Sequence, residues 1–163
     1  MAMTPSSSSL PAVEDRRDDC PAVIDRGASA LSAEPLDIAG MLAGAHHPGA
    51  GAVVLFSGEV RDNNRGKAVA YLEYEAHAPL AEKVIAEVLL AAREKYSLRL
   101  AIARHRTGRV AVGETAVVVI TASAHRGEAY AANQYIIDRI KREAPIWKRE
   151  YFADGASEWG SNP

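Results

Sequence analysis

Five consecutive β-branched residues, Val117-Val118-Val119-Ile120-Thr121, lie inside TAVVVITASA (115–124), a run without a single charge. Such side chains are stiff in a helix and pack well on a pleated surface, so the segment reads as a buried strand. GAVVLFSGEV (51–60), bounded by glycines, is a second compact apolar run and reads the same way. AVAYLEYEA (68–76) alternates instead, with Leu72 and Tyr74 on one face and Glu73 and Glu75 on the other, as a half-exposed strand does. LRLAIARHR (98–106) and RVAVGE (109–114) supply two more strand signals, the second running into a turn.

Helical periodicity is clearest over 79–96, where Pro79 suits a first turn and Leu80, Val84, Val88 and Leu89 build an apolar stripe. A second helix is expected over about 127–143, with Tyr130, Ile137 and Ile140 facing the core and Pro145 ending it. Leu36, Ile38, Met41 and Leu42 suggest a short helix stopped by His46-His47-Pro48-Gly49, and RDNNRGK (61–67) is a polar loop or hairpin. The order β-β-α-β-β-α lacks the strict alternation of a doubly wound sheet and any internal repeat. The expected architecture is a single α+β domain, two helices packed on a mostly antiparallel sheet, over residues 34–152. Residues 1–33 mix Ser, Pro, Ala and charge without a sustained period and read as an extension without fixed structure, and 153–163 as a C-terminal tail.

Composition removes several function classes. Lys plus Arg number 19 against 21 Asp plus Glu, a net charge of -2, without the basicity of a dedicated nucleic-acid binder. Residues 34–163 carry 16 of each sign, so any positive site is local. Cys20 stands alone, which rules out an internal disulfide and a cysteine-cluster metal site held by this chain alone. No glycine-rich phosphate loop, GxSxG or HExxH occurs, and His46-His47 has no second ligand cluster at a recognisable spacing. No metal and no cofactor are expected. No run approaches the roughly 20 apolar residues of a membrane-spanning helix. The first residues lack the basic-then-apolar order of a secretory signal, and Asp18-Asp19 follow Arg16-Arg17 where an export signal turns apolar, so a cytoplasmic location is expected.

Positive charge concentrates in two places. Arg139, Lys141, Arg142, Lys148 and Arg149 surround a single acid, Glu143. The solvated end of a helix accounts for such a run by itself, but Pro145, Ile146 and Trp147 anchor the chain just before Lys148. SAHRGE (123–128) is the second place, a strand-to-helix junction whose unpaired N–H groups suit an anion beside His125 and Arg126, or equally a surface turn. Arg61 sits at the mouth of the strand before it, where a surface ion pair with Asp62 is the competing reading. His77 and His105 read as residues of strand or loop surfaces.

GAVVLFSGEVRDNN (51–64), LEYEAHAPLAEK (72–83), SAHRGEAY (123–130) and IKREAPIWKRE (140–150), in that order and spacing, resemble the catalytic (large) subunit family of molybdopterin synthase. The likeness covers about residues 34–152. It implies an α/β hammerhead-like sandwich and a cytoplasmic sulfurtransferase of molybdenum-cofactor biosynthesis, converting cyclic pyranopterin monophosphate to molybdopterin by installing two sulfurs as a dithiolene. It further implies a homodimer within a heterotetramer, each copy gripping a small ubiquitin-like sulfur carrier whose Gly-Gly tail ends in a thiocarboxylate. A lone cysteine agrees with sulfur arriving on a partner. By the family's motif Lys141 takes the principal catalytic role and Lys148 a supporting one. Glu59, Val60, Arg61, His125, Arg126, Arg149 and Glu150 fall, with both lysines, on its substrate-contacting positions, the His-Arg pair reaching the site from the neighbouring subunit.

These residue types suit the chemistry. Two anionic reactants need several cations, an opening cyclic phosphate develops charge on its leaving oxygen, and a lysine among like charges gains the free amine that moves protons or attacks a carbonyl. The competing reading is a non-catalytic module that holds a phosphorylated metabolite or a partner's C-terminal tail in the same cationic pocket. No role for nucleic acid or membrane is expected.

Overall fold

The charge-free run at 115–124 is the inner strand on which the other elements assemble. The computed structural model describes residues 23–24 and 28–160. Its elements run β1 (Val23–Ile24), β2 (Leu31–Ser32), α1 (Ile38–Ala43), β3 (Ala52–Glu59), β4 (Asn63–Asn64), β5 (Lys67–Ala76), α2 (Ala78–Tyr96), β6 (Leu100–Arg106), β7 (Gly108–Ala111), β8 (Thr115–Ser123), α3 (Arg126–Glu143), β9 (Ile146–Phe152) and β10 (Ser157–Gly160). In the first sheet β6 and β3 flank β8, both antiparallel to it, while β1 and β2 lie parallel along the far side of β6.

β8 is covered on both faces, as its composition requires. Val117 and Val119 point, with Ala101 and Ala103, toward α2 and α3, whereas Val118 and Ile120 join Leu100 and Ile102 under the α1 segment. The second sheet, also antiparallel, runs β10-β9-β5, with β7 and β4 pairing along the other edge of β5. Its inner face closes over Val60 and Ala116 through Val69, Leu72, Val110 and Phe152. The expected α+β architecture is therefore present, with two long helices on one five-stranded sheet and a second five-stranded sheet beside it.

Each helix buries most of its expected stripe, Val88 and Leu89 in α2 and Ile137 and Ile140 in α3, but turns one expected residue outward. In α2 Leu80 is exposed, and Ala81, Ile85, Val88, Leu89 and Ala92 are buried; in α3 Tyr130 points outward and Ala129, Ala132, Ile136, Ile137 and Ile140 are buried. Alanines at the contacts let helix backbones approach closely, so small residues decide the buried face. Asn133 is buried with them, its amide donating to the carbonyls of Val54 and Val119 at 3.1 Å each. Pro145 forces Ala144 into extended backbone (φ -73°, ψ 132°), which stops α3 and launches β9.

Two expected boundaries move. The folded unit begins before residue 34: Ala30 is buried, Leu31 and Ser32 pair with His105 and Arg106, and the Glu82 carboxylate accepts the Ala30 N–H at 2.8 Å. The remainder of the expected extension, residues 1–22 and 25–27 with Arg16, Arg17 and Cys20, lies outside the described residues. At the other end Ser157–Gly160 is a strand of the second sheet and no mere tail. Ile136 is fully buried between helix and sheet, so Ile136→Ala removes about 3 kcal/mol of unfolding free energy, measured by urea denaturation.

Candidate active site

Lys141 ends the inner face of α3 and Lys148 lies on β9, just past the Pro145 turn. The two line one cavity of about 190 Å³. Period-two alternation along β9 aims Lys148 and Glu150 inward, opposite Tyr74 and Leu72 of β5. The remaining wall comes from Gly58 and Glu59 at the end of β3, His105 of β6, and Arg61 and Asn64 of the β3–β5 connection.

Glu150 organises this wall. Its side chain is 6% exposed and is held by Lys148 Nζ at 3.2 Å and by the Asn64 amide at 2.6 Å. A buried carboxylate this enclosed requires such partners, and losing one leaves a charge without compensation. Tyr74 is pushed up to about 12 by burial and by the charge of Glu150, which keeps its hydroxyl protonated. His105 packs edge-on against Tyr74 at 4.9 Å, with Nδ1 2.7 Å from the Arg106 carbonyl. Burial pushes its pKa down and the charge of Lys141 adds to that, opposed by the Arg106 contact; the neutral ring donates from Nδ1 to that carbonyl. At the rim, a bulge between Gly58 and Glu59 re-aims Glu59, whose carboxylate accepts from Ser57 and from Thr115 Oγ1 at 3.0 Å.

The cationic run at 139–149 divides. Arg139 and Arg142 both bind Glu143, whose carboxyl is held down to about 2, chiefly by Arg139, so these two arginines are spent on a surface network. Lys141 and Lys148 line the cavity. Arg61 makes no ion pair with Asp62 or with any other described residue. A second cavity of about 340 Å³ adjoins the first, sharing Arg61, Asn64, Lys148 and Glu150 and adding Arg65 and Lys67. An anion entering here meets several cations while neutral Tyr74 and His105 form the interior, which suits charge stabilisation and proton transfer.

Four expected site residues lie elsewhere in this chain. The Val60 side chain is buried in the core beneath the second sheet. Arg149 faces the opposite side of β9 from Lys148, over the Tyr151 and Trp159 rings. His125 and Arg126 begin α3, about 22 Å along the helix axis from Lys141. Just before them the chain passes close to Gly51, where a Cβ would lie 2.5 Å from the Ala124 carbonyl oxygen. His105 is half-buried on β6 in the cavity wall, while His77 caps α2 by accepting the Leu80 N–H at 3.4 Å. Sequence reasoning missed Asn64, Tyr74 and His105 as site residues; the signal available was the inward face Leu72–Tyr74, and nothing local marked Asn64.

The family model described as MoaE protein matches residues 31–143. The molybdopterin synthase catalytic subunit of Staphylococcus carnosus is 44% identical over 113 residues, covering 69% of this chain and 75% of the relative. The crystal structure of molybdopterin synthase from Staphylococcus aureus superposes with a TM-score of 0.76 at 37% identity, covering 80% of this chain and 95% of that one. A complex of subunits 1 and 2 of molybdopterin-converting factor from Helicobacter pylori has the same fold, with a TM-score of 0.67 at 19% identity over 82% of this chain and 91% of that one.

Because His105 binds a proton less readily folded than unfolded, the folded state loses stability as pH falls below the ordinary value of 6.5. Between pH 6.5 and about 5, the unfolding free energy of wild type should fall more steeply than that of His105→Gln in parallel urea titrations. Equal slopes would contradict the burial assigned to the ring.

Proposed function

The chain belongs to the MoaE protein family, and from that we propose that it is the catalytic subunit of a molybdopterin synthase, a sulfurtransferase of molybdenum-cofactor biosynthesis. It converts cyclic pyranopterin monophosphate to molybdopterin by building the dithiolene. A small carrier subunit delivers each sulfur as a C-terminal thiocarboxylate following Gly-Gly. Each transfer forms a carbon–sulfur bond on the substrate as a carbon–oxygen bond there breaks, its oxygen leaving with the opened phosphate or as water. A further water then cleaves the acyl–sulfur bond, returning the carrier as a carboxylate. The enzyme works in the cytoplasm as a homodimer within a heterotetramer.

One observation carries this reading: Lys141 and Lys148 reach a single cavity from two elements, with Arg61 at its rim. In this mechanism Arg61 and Lys148 hold the anionic substrate and carrier tail, and Glu150 fixes Lys148 in place. Lys141 transfers protons at the reacting carbon or attacks the carrier's carbonyl, while fixed positive charge stabilises the leaving phosphate oxygen. Glu59 borders the entry. Lys141 and the His125-Arg126 pair belong to one site only if the pair is supplied by another copy, which makes the dimer part of the machinery. Val60 and Arg149 then act as supports of the wall.

A single-turnover assay tests the reading, with purified chain, cyclic pyranopterin monophosphate and thiocarboxylated carrier. Wild type yields dithiolene, Lys141→Ala is slower by about 10³-fold and Lys148→Ala by about 10- to 100-fold. No product from a folded, carrier-bound wild type would instead establish the non-catalytic binding module.

A further inference from the structure

We propose that His105 is the base of the hydrolytic step: its Nε2 takes a proton from the water that cleaves the acyl–sulfur bond and frees the spent carrier. The inference rests on the synthase reading above and assigns a residue to a step that requires a proton to be taken from water.

Water is a poor nucleophile until a positioned base takes its proton, and such a base contributes about 10²- to 10⁴-fold. The cavity offers few candidates. Lys141, Lys148 and Arg61 line it as cations, and a lysine must give up its own proton before it can take another. Tyr74 keeps its hydroxyl proton. The Glu150 carboxylate is engaged by Lys148 and Asn64, and that of Glu59, at the rim, by Ser57 and Thr115. His105 is the remaining titratable side chain among the described residues of the lining.

Its geometry suits the task. Nδ1 lies 2.7 Å from the Arg106 carbonyl oxygen, which can only accept, so the proton sits on Nδ1 and the lone pair on Nε2. A histidine whose Nδ1–H is held by an acceptor while Nε2 serves the reaction is the arrangement by which a hydroxyl or a water is activated. The ring is also fixed in place. Tyr74 packs against it edge-on at 4.9 Å, the His105 N–H donates to the Ala30 carbonyl at 2.8 Å, and its backbone pairs with Val117 of β8 on the other side. Burial lowers the pKa of the ring from 6.5, opposed by the Arg106 contact and assisted by the charge of Lys141, so a neutral base is present at neutral pH. The charged and titratable groups sharing its cavity are Tyr74 of β5, Lys141 of α3, Lys148 and Glu150 of β9, Glu59 of β3 and Arg61 just beyond it.

The step balances without a redox partner. The water oxygen bonds to the acyl carbon as its proton passes to Nε2, and the cations of the cavity offset the charge that develops on the acyl oxygen. The bond from that carbon to sulfur then breaks, its electron pair leaving on the sulfur that stays with the substrate. The carrier departs as a carboxylic acid that ionises, and the imidazolium passes its proton to the new thiolate or to solvent.

The test is a quenched single turnover with thiocarboxylated carrier and cyclic pyranopterin monophosphate, read by intact-mass spectrometry. In His105→Gln hydrolysis should slow by about 10²-fold, so that carrier joined to substrate through a hydroxylamine-labile sulfur accumulates where wild type shows free carrier. Imidazole should restore hydrolysis to His105→Ala, which a merely structural role of the ring would not allow. The rate at which wild type frees its carrier should fall along an acid limb centred below pH 6.5 that His105→Gln lacks. Dithiolene from wild type together with unslowed hydrolysis in His105→Gln overturns the proposal and leaves the synthase reading standing. So does an adduct of the carrier with Lys141 in place of the substrate. Neither dithiolene nor adduct from folded, carrier-bound wild type would overturn the synthase reading and the proposal with it.

Discussion

Burial of β8 on both faces is the constraint from which the rest of the molecule follows. A strand reading Val-Val-Val-Ile has no face to offer water, so one side must be roofed by α2 and α3 and the other by the α1 segment. Roofing the sheet closely requires alanines at the helix contacts, and those alanines set the rotation of α3. That rotation leaves Lys141 at the end of the inner face, beyond Ile137 and Ile140. Pro145 then ends the helix and returns the chain as β9, which delivers Lys148 to the space Lys141 already borders. The site is thus a consequence of how the helix stops.

Inside that space the charges are arranged with few degrees of freedom. Glu150 sits in the wall because Asn64 and Lys148 satisfy it, and burial, with the charge of Glu150 added, keeps Tyr74 protonated. A neutral tyrosine and a neutral histidine beside two lysines make an interior that favours anions while supplying groups that donate hydrogen bonds. Arg139 and Arg142 share the single carboxylate of Glu143 outside. A charge run continuous in sequence is therefore two arrangements in space, one a surface network and one the lining of the cavity.

Much of this was legible before any coordinates. The strands β3, β5, β6, β7 and β8, both long helices and the Pro145 stop follow from β-branching, alternation and backbone chemistry. The inward pair Lys148 and Glu150 follows once β9 is recognised as a strand. One residue of each helical stripe was misjudged because apolar size was weighted over closeness of approach, which put Leu80 and Tyr130 inside instead of Ala81 and Ala129. Val60 and Arg149 were assigned to the site from a motif, yet strand alternation turns the arginine away and the core takes the valine. Asn64 and His105 depend on partners distant in sequence, Glu150 for one and Lys141 for the other, and no local pattern announces them. His125 and Arg126 read correctly as a strand-to-helix junction, but where that junction sits relative to the lysines is a property of the assembly.

The central claim is that one catalytic site is assembled from Lys141 of one chain and His125-Arg126 of another. Mixing two inactive proteins tests it most directly: Lys141→Ala and Arg126→Ala chains, unfolded together, refolded and supplied with cyclic pyranopterin monophosphate and thiocarboxylated carrier. Half the dimers should be mixed, each with one intact site of two, restoring about a quarter of wild-type dithiolene formation. No recovery, with mixed dimers verified by differential tags, would contradict a shared site and confine the chemistry to residues of a single chain.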